Sequence, residues 1–176
     1  MIKTVALVLV AAVAALLLYA ATRPDVFRVQ RSLRIQAPAA KIHPLIDDLH
    51  RFNSWNPFNK KDPNVKGRYS GPVSGPGAAY EFEGNKEVGK GSVRIVDSAA
   101  PRRVTMQLDM IEPMEGHNAI EFTLVPQGEA TEVTWAMQGH CPFIAKLAGV
   151  FIDMERMIGG HFESGLADLK TLAEGA

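Results

Sequence analysis

The chain has 176 residues, with 19 lysines and arginines against 19 aspartates and glutamates, and so no formal net charge at neutral pH. That balance leaves no basic surplus to neutralise a phosphate backbone and no acidic bias toward cationic partners, which sets nucleic acid aside as a ligand. Cys141 is the only cysteine, so an intrachain disulfide and a cysteine-built zinc site are both excluded, and beside Pro142 it reads as a small apolar residue.

The first element is apolar throughout. Residues 5–21, VALVLVAAVAALLLYAA, hold no charge or strong polar group, and with the four residues before them they give about 20 residues, or ~30 Å of helix, enough to cross a bilayer. Two other readings exist, a cleaved secretory signal and a buried core helix. The run is longer than the usual ~7–15 residue core of a signal, and Tyr19 stands where cleavage after Ala21 needs a small residue. An uncleaved single-pass anchor over residues 1–22 is the reading that fits, with one soluble domain over 23–176. Lys3 precedes the segment, whereas Arg23, Arg28, Arg31, Arg34 and Lys41 follow it. Taken literally, the positive-inside rule puts the domain in the cytoplasm, but those arginines belong to a folded strand, so the side of the membrane stays open.

After Pro24 the pattern alternates. Val26, Val29, Leu33 and Ile35 are interleaved with Arg28, Arg31, Arg34 and Gln36, predicting a first strand over 26–36 with one wet face. Ala37-Pro38 stops it. Ile42, Leu45, Ile46 and Leu49 then recur at helical spacing with a proline near the first turn. The stretch FNSWNPF, residues 52–58, follows with three aromatic residues, and Pro57 among asparagines predicts that helix ends there.

From Asn64 to Gly139 six short runs alternate between glycine and proline turns: VKGRYSG, AAYEFEG, KGSVRIVDS, RVTMQLDMI, NAIEFTLV and EVTWAMQGH. Consecutive strands with tight connections predict an antiparallel sheet. On three of them the alternation is regular: Val104, Met106, Leu108 and Met110; then Ile120, Phe122 and Leu124; then Val133, Trp135 and Met137. The intervening positions are polar, so the sheet has one apolar face to cover. The cover is the closing segment, where Phe143, Leu147, Val150, Phe151, Met154, Ile158, Phe162, Leu166, Leu169 and Leu172 recur at steps of three and four. This predicts one long helix over about 143–173, broken only at Gly159-Gly160, where the pair implies a bend or a close backbone approach.

Chemistry-bearing groups are sparse. Five histidines are present without a converging signature such as HExxH, so no metal and no cofactor are expected. His140-Cys141 are strand neighbours that point to opposite faces and read as a strand end. A general acid or base in an apolar cavity has candidates in Glu81, Glu83, Asp109, Glu121, Asp153 and His161, of which His161, beside the glycine pair, is the least improbable. If Tyr80 and Phe82 point inward, Glu81 and Glu83 face water. Val88-Gly89-Lys90-Gly91-Ser92 lies between strands and lacks the spacing of a phosphate loop, so it reads as a hairpin turn. The methionines, Met106, Met110, Met137, Met154 and Met157, suit equally a core and a pliable pocket.

A strand, short helices, six antiparallel strands and one long closing helix form an α+β helix-grip order, with a curved sheet of about seven strands. Through RSLRIQAPAAKIHPLIDDLHRFNSWNPF, YSGPVSGPGAAYEFEGNKEVGKGSV and FIDMERMIGGHFESGLADLK, the chain resembles from about Phe27 to Glu174 the SRPBCC superfamily. That superfamily includes START lipid-transfer domains, the birch-pollen-allergen group and polyketide cyclase/dehydrase proteins; the quoted stretches look like a bacterial subgroup with an amino-terminal membrane helix. Many such relatives carry a second tryptophan where this chain has Phe58. The resemblance implies a hydrophobic small molecule or lipid held between sheet and helix, with Trp55, Phe58, Tyr80, Phe82, Met106, Leu108, Phe122, Trp135, Met154 and Phe162 lining the pocket. The alternatives it implies are a cyclase or hydrolase on a polyketide-like or lipidic substrate, and a co-chaperone-like protein-interaction module.

Overall fold

A computed structural model describes residues 2–150 and 153–175 of the chain. Phe151, one of the apolar positions assigned to the closing helix, lies outside them. Helix α1 (Ile2–Ala21) leads into β1 (Val26–Ile35), and the short helices α2 (Ala39–Asp47) and α3 (Leu49–Trp55) follow. Strands β2 (Lys66–Ser70), β3 (Ala79–Glu83), β4 (Lys90–Ala99), β5 (Arg103–Glu112), β6 (Gly116–Gln127) and β7 (Ala130–His140) come next, then α4 (Phe143–Ala148) and α5 (Met154–Gly175). All seven strands form one antiparallel sheet in the order β1-β7-β6-β5-β4-β3-β2. Helices α2, α3 and α5 cover one face of it, as a helix-grip fold requires.

Local chemistry sets the joints. Asp48 ends α2 and caps α3, its carboxylate accepting from the backbone N–H of His50 at 2.8 Å and of Arg51 at 3.4 Å, an arrangement worth about 1 kcal/mol. Helix α3 stops at Trp55, just before Pro57, so FNSWNPF does close a helix. The glycine-rich VGKGS stretch ends the β3–β4 turn at Gly89, φ 74°, and enters β4 at Lys90.

Two expectations are corrected. The inward side chains of β1 are Phe27, Val29, Arg31, Leu33 and Ile35, while Val26 is 59% exposed. Arg31 therefore shares the covered face with the apolar residues, because it has a partner there. The closing segment is also two helices and not one: Gly149 ends α4, and α5 starts at Met154. At Gly159-Gly160, α5 runs on unbroken.

Backbone pairing stacks the inward residues in rungs across the sheet. One rung is Val29, Met137, Ile120, Met106 and Ile95, and the next is Arg31, Trp135, Phe122 and Val104. From above, Phe52 and Trp55 of α3 and Phe162, Leu166 and Leu169 of α5 press onto these rungs. The core is thus centred away from α1.

Candidate functional site between the sheet and the last helix

The predicted lining residues fall into two groups. Trp55, Met106 and Phe122 are wholly buried, and Trp135 and Phe162 are 1% exposed. Their rings interlock: Trp135 stacks on Phe162 at 4.2 Å, Trp55 meets Trp135 edge-on at 5.7 Å, and Phe122 lies 5.0 Å from Trp135. Surfaces this fully covered adjoin no space for a ligand, so this group fills the centre of the core and does not line a chamber. Trp55 Nε1 donates to the Leu45 carbonyl at 2.8 Å, whereas Trp135 Nε1 is buried without a partner.

The second group sits nearer α1 and is less covered. Phe58, Phe82 and Leu108 are half-buried against the core, as are Phe27 and Ile158. Pairing places Phe27, Gly139, Asn118, Leu108, Val93, Tyr80 and Tyr69 in a single rung across all seven strands. Beyond it lies a last rung of Phe82, Gly91, Met110 and Gly116. The inward glycines leave room that neighbours occupy: Tyr80 lies over Gly67, Phe82 over Gly91, and Phe27 with Asn118 over Gly139. These two rungs combine half-buried apolar side chains with a few polar atoms. Met154 opens α5, and its side chain lies outside the described residues.

The loop after α3 joins α5 to β3 at this end. Phe58 meets the His161 ring edge-on at 5.2 Å, and Asn59 Nδ2 reaches the Tyr80 hydroxyl at 3.5 Å. Lys61 Nζ stands 3.0 Å from His161 Nε2. An ammonium only donates, so Nε2 accepts and the ring proton sits on Nδ1. Burial, followed by the Lys61 charge, holds His161 below the ordinary histidine pKa, with Glu87 opposing. The lone pair a general base would use is therefore already engaged.

Other titratable candidates lie outside the covered face. Glu81 and Glu83 point to water and pair with Arg68 at 2.7 Å and Lys90 at 3.2 Å. Asp109 takes a 2.6 Å hydrogen bond from exposed His117, which lowers its pKa. Glu121 is on the outer face of β6, and Asp153 is exposed. Among the described residues no group of three histidine, cysteine or acidic side chains converges as a metal site. Two hollows are open on the surface. One, of about 370 Å³, is lined by Lys66, Arg68, Glu81, Glu83, Lys90 and Ile111 among others, and one of about 110 Å³ lies over Ala119 and Ala136. Gly67, Gly91 and the predicted lining residue Phe82 also border the first hollow, whose charged side chains are those of the outer face.

Sequence reasoning missed the clasp that holds the start of α5. Glu155, Gly159 and Glu163 are four residues apart and share a helix face. Arg31 Nη1 donates to Glu155 Oε1 and Arg31 Nε to Glu163 Oε1, each at 2.6 Å, and the guanidinium crosses the helix at Gly159, where any Cβ would collide with it. The two carboxylates raise the Arg31 pKa further. A glycine midway between two glutamates eight apart was the available signal.

The family model described as polyketide cyclase / dehydrase and lipid transport matches residues 26–174. The chain belongs to this family. No curated protein matches the chain. Among solved structures, a Chromobacterium violaceum protein is 16% identical, covering 86% of this chain and 99% of its own with a TM-score of 0.59. The ginseng major latex-like protein 151 from Panax ginseng is 12% identical over 85% of this chain and 99% of its own, with a TM-score of 0.61. The Aha1 dimer from Colwellia psychrerythraea is 17% identical over 84% and 96%, with a TM-score of 0.59. At such identities these likenesses fix the fold alone, while membership in the polyketide cyclase / dehydrase and lipid transport family makes this a domain of hydrophobic-ligand type.

Proposed function

We propose that residues 23–176 form a domain that takes up a hydrophobic small molecule or lipid, and that residues 1–22 tether it to a membrane. The observation that carries this reading is the set of half-buried side chains Phe27, Leu108, Phe82 and Ile158, at the end of the sheet where ion pairs hold the start of α5. Apolar area left partly uncovered beneath a polar clasp is what a pocket that opens on demand looks like before it is filled. The family description points the same way, and α1 is long and apolar enough to cross a bilayer. Every large apolar side chain of α1 that is described as exposed would meet lipid. In this reading the domain carries or senses its ligand and performs no chemistry on it, because the acids weighed for catalysis face water.

The decisive experiment is native mass spectrometry of the chain extracted from membranes, with displacement of an apolar fluorescent probe. A bound small molecule is expected, with Leu108→Trp and Met110→Trp each excluding it. Empty protein that never displaces the probe would end the binder reading. One observation favours a second reading, a protein-interaction module: the aromatic centre is already full. That module would come out of the membrane with a stoichiometric protein partner and no small molecule.

A further inference from the structure

The end of the domain nearest α1 carries a set of exposed apolar side chains that the core does not use. Phe143 and Ile144 of α4 are 46% and 68% exposed, Val26 59%, Ile111 55%, Met114 51% and Met157 49%. Topology gathers them. Val26 pairs with His140 at the ends of β1 and β7, and α4 follows directly. Ile111 and Met114 flank the β5–β6 turn, just past the Met110–Gly116 pair and the Leu108–Asn118 pair that shares a rung with Phe27.

Helix α4 is locked to the exit of α1. The two helices are in contact, and Ala20 is fully buried although nearly all of α1 is exposed. Arg23 Nη1 donates to the Gly149 carbonyl at 2.6 Å, Lys146 pairs with Asp25 while only 7% exposed, and Cys141 N–H donates to the Asp25 carbonyl at 2.7 Å. Lys146 pairs with Asp25, while Phe143 and Ile144 of the same short helix stay exposed. A chain that leaves the bilayer at residues 21–23 therefore holds these two side chains within a few residues of the lipid surface.

The geometry points to a second membrane contact: α4 and the β5–β6 turn seat in the lipid interface beside the anchor, so the half-buried rung of Phe27 and Leu108 opens toward the bilayer. This rests on the reading of α1 as a membrane anchor. The seat is apolar in character, since Glu112 and Glu115 offset Arg23 and Arg28 at this end, and attachment is expected to be indifferent to anionic lipid. An apolar ligand would then pass between bilayer and sheet without crossing water.

The test uses the full chain in phosphatidylcholine vesicles with Cys141→Ser and one spin-labelled cysteine at a time, from Val10→Cys, Ile144→Cys, Met114→Cys or Val73→Cys. Val73 is 72% exposed and lies between β2 and β3, away from α1. Collision with oxygen against a water-soluble nickel complex is read at each site. Position 10 is expected deep in lipid, positions 144 and 114 at interface depth with a several-fold higher oxygen-to-nickel ratio than position 73, and position 73 in water. If 144 and 114 are as wet as 73 while 10 is in lipid, the second contact is wrong and the anchor stands. If 10 is also wet, the anchor reading fails and takes this proposal with it.

Discussion

The two halves of α5 are held by different forces. From Glu155 to His161 the helix turns only Gly159 fully inward, with Ile158 and His161 half-covered, and Arg31 supplies the grip through two exposed glutamates. From Phe162 to Ala173, by contrast, Phe162, Leu166, Leu169 and Ala173 are buried at helical steps against Trp135 and its neighbours. The second half is core, and its stability scales with apolar area. The first half is a clasp, whose ion pairs are screened by salt and whose helix can lift without emptying the aromatic centre. Local opening starts where packing is weakest, which here is the first half of α5.

Truncation on either side of the boundary tests this most directly. Phe162→Ala is expected to cost about 3–5 kcal/mol of unfolding free energy, the usual range for a large buried aromatic residue. Ile158→Ala removes half-covered area and is expected to cost about 1–2 kcal/mol. Denaturant unfolding at matched m-values reads both. Equal costs would mean that both halves are core and that the clasp does not exist as a separate unit. Amide hydrogen exchange sharpens the contrast, with faster exchange before His161 than after it.

The glycines of α5 give a smaller pair of effects with opposite signs. At Gly165 a Cβ would lie 2.7 Å from Trp135 Cζ3 and 2.9 Å from Pro57 Cδ, both rigid groups. Gly165→Ala is expected to destabilise by about 1–3 kcal/mol through overpacking. At Gly160 a Cβ meets nothing within 4 Å, so Gly160→Ala should stabilise by about 0.5–1 kcal/mol from helix propensity alone. Thermal melts of the two variants should move in opposite directions. A loss at Gly160 would show that the first half needs its flexibility even at rest.

Periodicity made the fold readable because one face of the sheet is apolar on five strands and wet on the other side, so β5, β6 and β7 declare their register in the sequence. The site was less legible. Trp55, Phe122, Trp135 and Phe162 look the same in a sequence whether they line a chamber or fill it, since composition reports area and not the space between surfaces. Alternation assigns Arg31 to the wet residues, since it sends a charge to water unless the partners are known, and Glu155 and Glu163 lie more than a hundred residues away. The break after α4 was hidden because Leu147, Val150 and Ile158 keep a helical spacing across it. Gly159 receives the close approach that the glycine pair implies, from the Arg31 guanidinium, and the helix continues through it.

His161 sits at the boundary between the two halves and links it to pH. Its folded pKa is held below the ordinary 6.5 by burial and then by the Lys61 charge. As pH falls below about 6.5, the unfolded chain takes up the proton before the folded chain does. The histidine's contribution to stability is therefore whole above that pH and is lost as pH falls toward the depressed folded value. Asp25, Asp109 and Glu174 are also lowered, so their losses come later, below the ordinary carboxylate range. His161→Gln is expected to flatten the stability profile just below 6.5 and to leave the more acidic limb unchanged. Lys61→Met, which removes the second cause and keeps the first, should flatten it only in part. A profile untouched by both variants would show that the α3–α5 seam at Phe58 and His161 stays closed whatever its charge, and the polar links to test next would be the Arg31 clasp and the Lys60–Asp168 pair.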